Sequence, residues 1–216
     1  MVLLGPPGAG KGTQARRLER SLSLPHIASG DMFRDIRRGH TPLAREIRSY
    51  MDRGEYVPDA LTIELMLARV VAPDARDGFV LDGFPRTRGQ ARALDVALSD
   101  EGLRLDRAIY ITAPNEMLLE RLAGRVICLQ CHEIYNLNSK PPMQDMMCDV
   151  CGRALKRRRD ETPDIAAHRL QTFLDQTKPV VAYYEDQGNL AAIDGSRSMD
   201  DVEQEIDQAI GLEGVL

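Results

Sequence analysis

The chain of 216 residues has no tryptophan, and aromatic residues make up 5% of it. A surface that holds nucleic acid by base stacking would therefore be poorly supplied. No apolar run approaches the roughly 18 residues that a membrane helix needs. The opening "MVLLGPP" carries no basic stretch and leaves four residues before a glycine loop, so neither a membrane span nor a leader is expected, and the cytoplasm is. Positive charge is in the minority: 28 Lys and Arg against 33 Asp and Glu give a net charge of -5. That balance argues against a dedicated nucleic-acid binder, although "LKRRRDE" at 155–161 is a local basic stretch. Lysine itself is scarce, since Lys11, Lys140, Lys156 and Lys178 are the only four. Lys11 thus stands alone in the first 139 residues. Cysteine is absent outside residues 128–151.

What is present alternates. "MVLL" reads as a short strand entering the glycine loop, and "KGTQARRLERSLS" has helical spacing. "PHIA" (25–28) reads as a second strand, followed by a helix that Ser29 or Asp31 could cap and another that closes at Gly54. A helix should begin after Pro58-Asp59. "GFVLDG", "DRAIYITA" (106–113) and "LAAIDG" (190–195) are continuous apolar runs of the kind found in buried parallel strands. Helices are expected at about 88–99, 114–122, 164–187 and 198–211. Such alternation predicts an α/β fold with a parallel sheet covered on both faces and ligands at the carboxyl ends of its strands. Gly5 to Lys11, Ser29 to Arg34 and Asp82 to Arg86 all start at those ends. Between about 122 and 161 the pattern breaks, and all four cysteines fall there, which predicts an inserted module.

Three constellations carry chemistry. "GPPGAGKGTQ" (5–14) nearly fits the phosphate-loop pattern G-x-x-x-x-G-K-[ST], but Gly12 follows the lysine and the hydroxyl comes at Thr13. Backbone N–H groups of Gly8, Ala9, Gly10, Gly12 and Thr13 would face phosphate oxygens, with Lys11 as a mobile cation. Arginines form the second group: Arg34, Arg86, Arg121, Arg125, Arg158 and Arg169, fork-shaped cations suited to neutralising phosphates, though spacing alone does not separate them from solvated helix faces. Arg37, Arg38, Arg45 and Arg48 read as such solvated faces. "CLQC" and "CDVC" make the third, two Cys-x-x-Cys pairs (Cys128, Cys131, Cys148, Cys151) 16 residues apart, the spacing of a four-thiolate zinc site, with tetrahedral iron or disulfides as alternatives. Asp82 ends a buried strand where a carboxylate near Mg²⁺ belongs, and Asp31 either shares the Mg²⁺ water shell or caps a helix. Gly83, not a second carboxylate, follows Asp82, which favours transfer to an acceptor over hydrolysis.

With these residues in view, the whole chain resembles the adenylate kinase family, in its bacterial long form with a zinc-bearing lid. The resemblance implies a P-loop NTPase-type core (1–28, 59–123 and 162–216), an AMP-binding subdomain (29–58) and a zinc-ribbon-like lid (124–161). It implies Mg²⁺-dependent phosphoryl exchange among ATP, AMP and ADP by a monomer. Glycine after the lysine is this family's form of the loop. "SGDMFR" resembles the acceptor segment, with Ser29 and Arg34 toward AMP, and "GEYVPD" the loop that lines its adenine through Glu55, Tyr56 and Val57. "LDGFPRTRGQA" implies Gly83, Phe84, Pro85 and Arg86 against AMP and Gln90 on the adenine edge. Arg121 and Arg125 would face ATP, Arg158 and Arg169 the transferring phosphates, Ile134 and Tyr135 the donor from the lid, and the backbone of Arg197 the donor adenine. Glu161, His132 and Ser198 depart from the pattern, standing where Asp, Gly and Pro are usual. Other nucleoside monophosphates as acceptor, GTP as donor, and a zinc-ribbon nucleic-acid module on an ATPase are the rival readings.

Overall fold

The computed structural model describes residues 1–157 and 162–212. The expected alternation is observed. Strand β1 (Val2–Leu4) leads through the glycine loop into α1 (Lys11–Leu22); β2 (His26–Ala28) leads into α2 (Ser29–Ile36), α3 (Pro42–Arg53) and α4 (Asp59–Val70). Then come β3 (Val80–Asp82), α5 (Arg88–Asp100), β4 (Ala108–Thr112) and α6 (Asn115–Ala123). The chain closes with α7 (Pro163–Thr172), α8 (Lys178–Asp186), β8 (Leu190–Asp194) and α9 (Met199–Ile210). The five core strands form one parallel sheet in the order β2-β3-β1-β4-β8.

Alternate residues of each strand face opposite sides, so both faces are apolar and both are covered. Val2, Leu4 and Leu81 pack with Met66, Leu94, Val180 and Tyr184 of α4, α5 and α8. Leu3, Val80, Ile109 and Ile111 pack with Leu18, Leu118, Leu170 and Ile206 of α1, α6, α7 and α9. Register sets Ala28 opposite Asp82, and Leu3 opposite both Asp82 and Ile109, which aligns the carboxyl ends and opens the following loops toward one another.

The cysteine module is a small antiparallel sheet, β5 (Arg125–Cys128), β6 (Ile134–Asn136) and β7 (Leu155–Lys156), in the order β6-β5-β7. It has its own core of Val126, Cys128, Tyr135, Cys148 and Leu155. Phe33, Ile47 and Val57 make a further cluster under α2 and α3.

Two local expectations need correcting. Neither Ser29 nor Asp31 caps α2: Ala28 holds the N-cap position, with no side-chain cap hydrogen bond. Ser29 is already inside the helix, and its Oγ donates instead to the Gly83 carbonyl at 2.6 Å. The helix expected over 164–187 is interrupted by a π-helical turn, Phe173–Thr177. Pro179, at the start of α8, has no N–H to continue an α ladder, and the wider turn absorbs the break.

Candidate active site

The glycine loop turns at Gly10, the N-cap of α1, with φ 100° and no atom within 4 Å of where a β-carbon would project. A side chain at Gly8 (φ 88°) would instead strike the Leu118 carbonyl oxygen at 2.6 Å. One glycine leaves space for a ligand and the other lets the loop lie against α6. Lys11 Nζ donates to the carbonyls of Gly5 at 2.7 Å and Pro6 at 2.9 Å, curling back over its own loop. The glycine after it has a steric reason: a β-carbon at Gly12 would lie 3.0 Å from Ile134 Cδ1 and 3.3 Å from Asp82 Oδ2. The hydroxyl of Thr13 lies one residue along, still on the cleft.

Charges here are strongly perturbed. Burial lowers Lys11 to about 8, against the pull of Asp82, and the cations Arg86, Arg125 and Arg169 lower it further. Burial would raise Asp82, but His26, Lys11 and Arg86 outweigh it and hold the carboxyl down at about 2. His26 Nε2 lies 3.6 Å from Asp82 Oδ2, a partner that sequence reasoning missed. Arg86 is also lowered, by burial first and by Arg169 and Arg34 among its neighbours.

Two cavities open along the carboxyl edge of the sheet. The larger, of about 450 Å³, is lined by Gly8 through Thr13, Arg121, Arg125, Ile134, Tyr135 and Arg197, together with Asp31, Asp82 and Gly83. The smaller, of about 50 Å³, is lined by Ser29, Glu55, Tyr56, Val57 and Gln90. Arg34, Arg86 and Arg169 line both. Phe84 and Pro85 line neither; Phe84 is fully buried in the core cluster of α4 and α5. Arg158 and Glu161 fall outside the described residues.

Each side chain is held by neighbours. Arg34 Nη2 donates to Asp31 Oδ1. Arg86 Nε donates to the Gly83 carbonyl at 2.7 Å, and its guanidinium lies over the Tyr56 ring at 4.7 Å. Thr177, delivered by the π turn, donates to the Arg86 carbonyl at 3.0 Å and lies 2.9 Å from the Tyr56 hydroxyl. Arg121 Nη1 donates to the Gly195 carbonyl at 2.8 Å. Arg197 turns its guanidinium toward Glu205 on α9, and the residue is part of the larger cavity's lining. Ser198 supplies what the usual Pro would not, an N-cap oxygen that accepts from Asp201 N at 3.1 Å. Sequence reasoning also missed Thr62, Asn136, Ser139 and Lys140 among the lining residues. Single polar residues on a helix or hairpin carry no pattern that would single them out.

The four cysteines converge as free thiols. Cys128 and Cys151 sulfurs are 3.4 Å apart, Cys131 and Cys148 are 3.5 Å apart, and all four lie within 4.8 Å of one another. Disulfide sulfurs would be about 2 Å apart, whereas a tetrahedron with metal–sulfur bonds of about 2.3 Å sets sulfurs about 3.8 Å apart. The cluster therefore fits a tetrahedral metal ion. Backbone N–H groups of Val150 and Cys151 and the Tyr135 hydroxyl at 3.6 Å face Cys148, a setting that favours a thiolate. Tyr135 is thus buried in the module's own core while also lining the larger cavity.

The module also meets α2 and α1. His132, with φ 60° where glycine would be unstrained, places Nδ1 3.5 Å from Asp31 Oδ1 and Nε2 4.0 Å from Asp35 Oδ1. Arg38 Nη2 donates to the Leu129 carbonyl at 3.0 Å, and Arg16 Nη2 to the His132 carbonyl at 2.9 Å. Arg38, expected on a solvated helix face, lies instead in the turn after α2 and bridges to the module.

Comparison with known proteins agrees with the geometry. The profile of the family described as "Adenylate kinase" matches residues 3–189. An adenylate kinase of Moorella thermoacetica is 49% identical over 211 residues, 98% of this chain and 97% of the relative. One of Clostridium tetani is 43% identical, covering 98% of both chains, and one of Staphylococcus epidermidis is 43% identical, covering 95% and 96%. A likeness of this strength from end to end leaves a single assignment, and the chain belongs to the adenylate kinase family.

Proposed function

We propose that the enzyme transfers the γ-phosphoryl group of Mg-ATP reversibly to AMP, giving two ADP, and so balances the adenine nucleotide pool. The observation that carries this reading is the sharing of Arg34, Arg86 and Arg169 by the two cavities. An enzyme that hydrolysed one nucleotide would need one phosphate site. Three guanidiniums between two sites suit two phosphate chains brought end to end, with the charge on the moving group neutralised from several sides.

In this account ATP occupies the larger cleft, with its phosphates on the N–H groups of Gly8 to Thr13 and its base end between Arg121 and the segment from Gly195 to Arg197. Lys11 exchanges its two backbone carbonyls for phosphate oxygens, and Arg125, Arg158 and Arg169 join it. AMP occupies the smaller cavity, its phosphate on Arg34 and Arg86, its base against Glu55, Tyr56, Val57 and Gln90 and beside Ser29. Gly83 contributes backbone to the larger cavity, and Phe84 anchors the segment in the core behind it. Asp82, held ionised, and Asp31 on the same cleft fit a Mg²⁺ ion through its water shell. That ion would neutralise charge on the donor phosphates. Residues 29–58 act as the acceptor lid and 124–161 as the donor lid, both closing to exclude water as a competing acceptor. Cys128, Cys131, Cys148 and Cys151 hold zinc, which fixes the lid's fold. Free thiols and a four-sulfur site suit a reducing cytoplasm, and we propose a monomer there, with nucleotides as its only partners.

Product stoichiometry tests the reading. With Mg-ATP and AMP supplied together, two ADP should appear for each ATP consumed and no inorganic phosphate. One ADP and one phosphate per ATP would make it a hydrolase.

A further inference from the structure

Gln90 is 1% exposed and lines the smaller cavity. The orientation of its side-chain amide is fixed by chemistry. The backbone N–H of Arg86 meets one end at 2.7 Å, and an N–H only donates, so that end is the carbonyl oxygen. Asp59 Oδ1 meets the other end at 2.7 Å, and a carboxylate only accepts, so that end is the amino group. Asp59 is itself pinned, because its Oδ2 accepts from the Thr87 hydroxyl at 2.6 Å. Thr87 is the donor of that pair because a carboxylate only accepts, while its oxygen accepts in turn from the Gln90 backbone N–H at 3.2 Å, as the N-cap of α5. The Arg86 N–H and the Asp59 carboxylate therefore determine every proton direction in the chain Arg86–Gln90–Asp59–Thr87.

We propose that Asp59, which does not line the cavity, is a specificity-determining residue that locks Gln90 to recognise adenine and to reject 6-oxopurines. This rests on the reading of Gln90 as the residue that meets the acceptor base. Locked this way, Gln90 has one amide hydrogen and one carbonyl lone pair left to offer. An adenine edge matches them, with N1 accepting and the 6-amino group donating. Hypoxanthine and guanine present the reverse, with O6 accepting and N1–H donating. To pair with them Gln90 would have to turn over, setting its amino group against the Arg86 N–H and its oxygen against the Asp59 carboxylate. At 1% exposure no water relieves either clash. Discrimination then comes from penalising the wrong base as well as from favouring the right one.

The test compares kcat/KM for AMP and for IMP, which differs from AMP only at this edge, with Mg-ATP as donor. In Asp59→Asn an amide replaces the carboxylate, and an amino group turned toward Gln90 removes one of the two clashes of the turned-over amide, leaving the one with the Arg86 N–H. The AMP-to-IMP ratio should fall by about tenfold or more, with IMP gaining in absolute terms, since hydrogen bonds to charged groups are of that strength. Asp59→Ala, which leaves no competing donor, should lower the ratio in the same direction by less, and serves if Asp59→Asn does not fold. A purely structural role would lower both substrates alike and leave the ratio standing. If the ratio holds in both Asp59 variants but collapses in Gln90→Ala, the lock is wrong and the role of Gln90 stands. A ratio unchanged in Gln90→Ala as well would overturn that role, and the lock with it.

Discussion

Lys11 in the free enzyme is held between burial, which favours the neutral amine, and Asp82, which favours the ammonium; burial wins, and the value falls to about 8. A bound triphosphate adds negative charge beside it and pushes the value back up. Catalytic efficiency toward Mg-ATP, which reports the free enzyme, should thus decline as pH rises through about 8, while kcat, which reports the complex, should hold to higher pH. A pH profile of both constants checks this; parallel declines would contradict it. Lys11→Ala should lower kcat/KM by about 10²-fold or more with the fold intact by circular dichroism. The importance of Lys11 was legible because a solitary lysine closed a glycine pattern. Asp59, His26 and Thr177 were not legible, since each acts through neighbours far away in sequence: Thr177 reaches Arg86 and Tyr56, and Asp59 reaches Gln90 and Thr87.

The π turn between α7 and α8 presents Thr177 to Arg86 and Tyr56, so it belongs to the acceptor site as well as to the helix. Thr177→Val should raise the KM for AMP up to about tenfold and leave that for ATP unchanged, a split that steady-state kinetics would reveal. Helical periodicity continues through residues 164–187 with no sign of this turn, because hydrophobic spacing reports the buried face and not the ladder beneath it. The cysteine module was the opposite case: two Cys-x-x-Cys pairs announced a compact metal-sized cluster before any fold was known. Cys128→Ser, or a strong chelator on the wild type, should lower the melting temperature by about 5 °C or more, while activity below the transition changes little. Unchanged melting in both would count against a structural metal.

At the scale of the whole molecule, the parallel sheet and its two layers of helices followed from alternating apolar runs, but the contact between the two lids did not. His132 on one lid approaches Asp31 and Asp35 on the other, and it does so in a left-handed backbone conformation that costs about 1 kcal/mol. His132→Gly should accordingly stabilise the fold by up to about 1 kcal/mol in denaturant unfolding while raising the KM for both nucleotides together. Closure of both lids over two phosphate sites that share three arginines is the account's central claim. The most direct test is ADP formation from Mg-ATP with AMP, GMP, CMP and UMP offered separately, beside a control without acceptor. Fast turnover with AMP alone is the predicted result. A control without acceptor as fast as the rest would contradict it, since the shared arginines would then be serving hydrolysis.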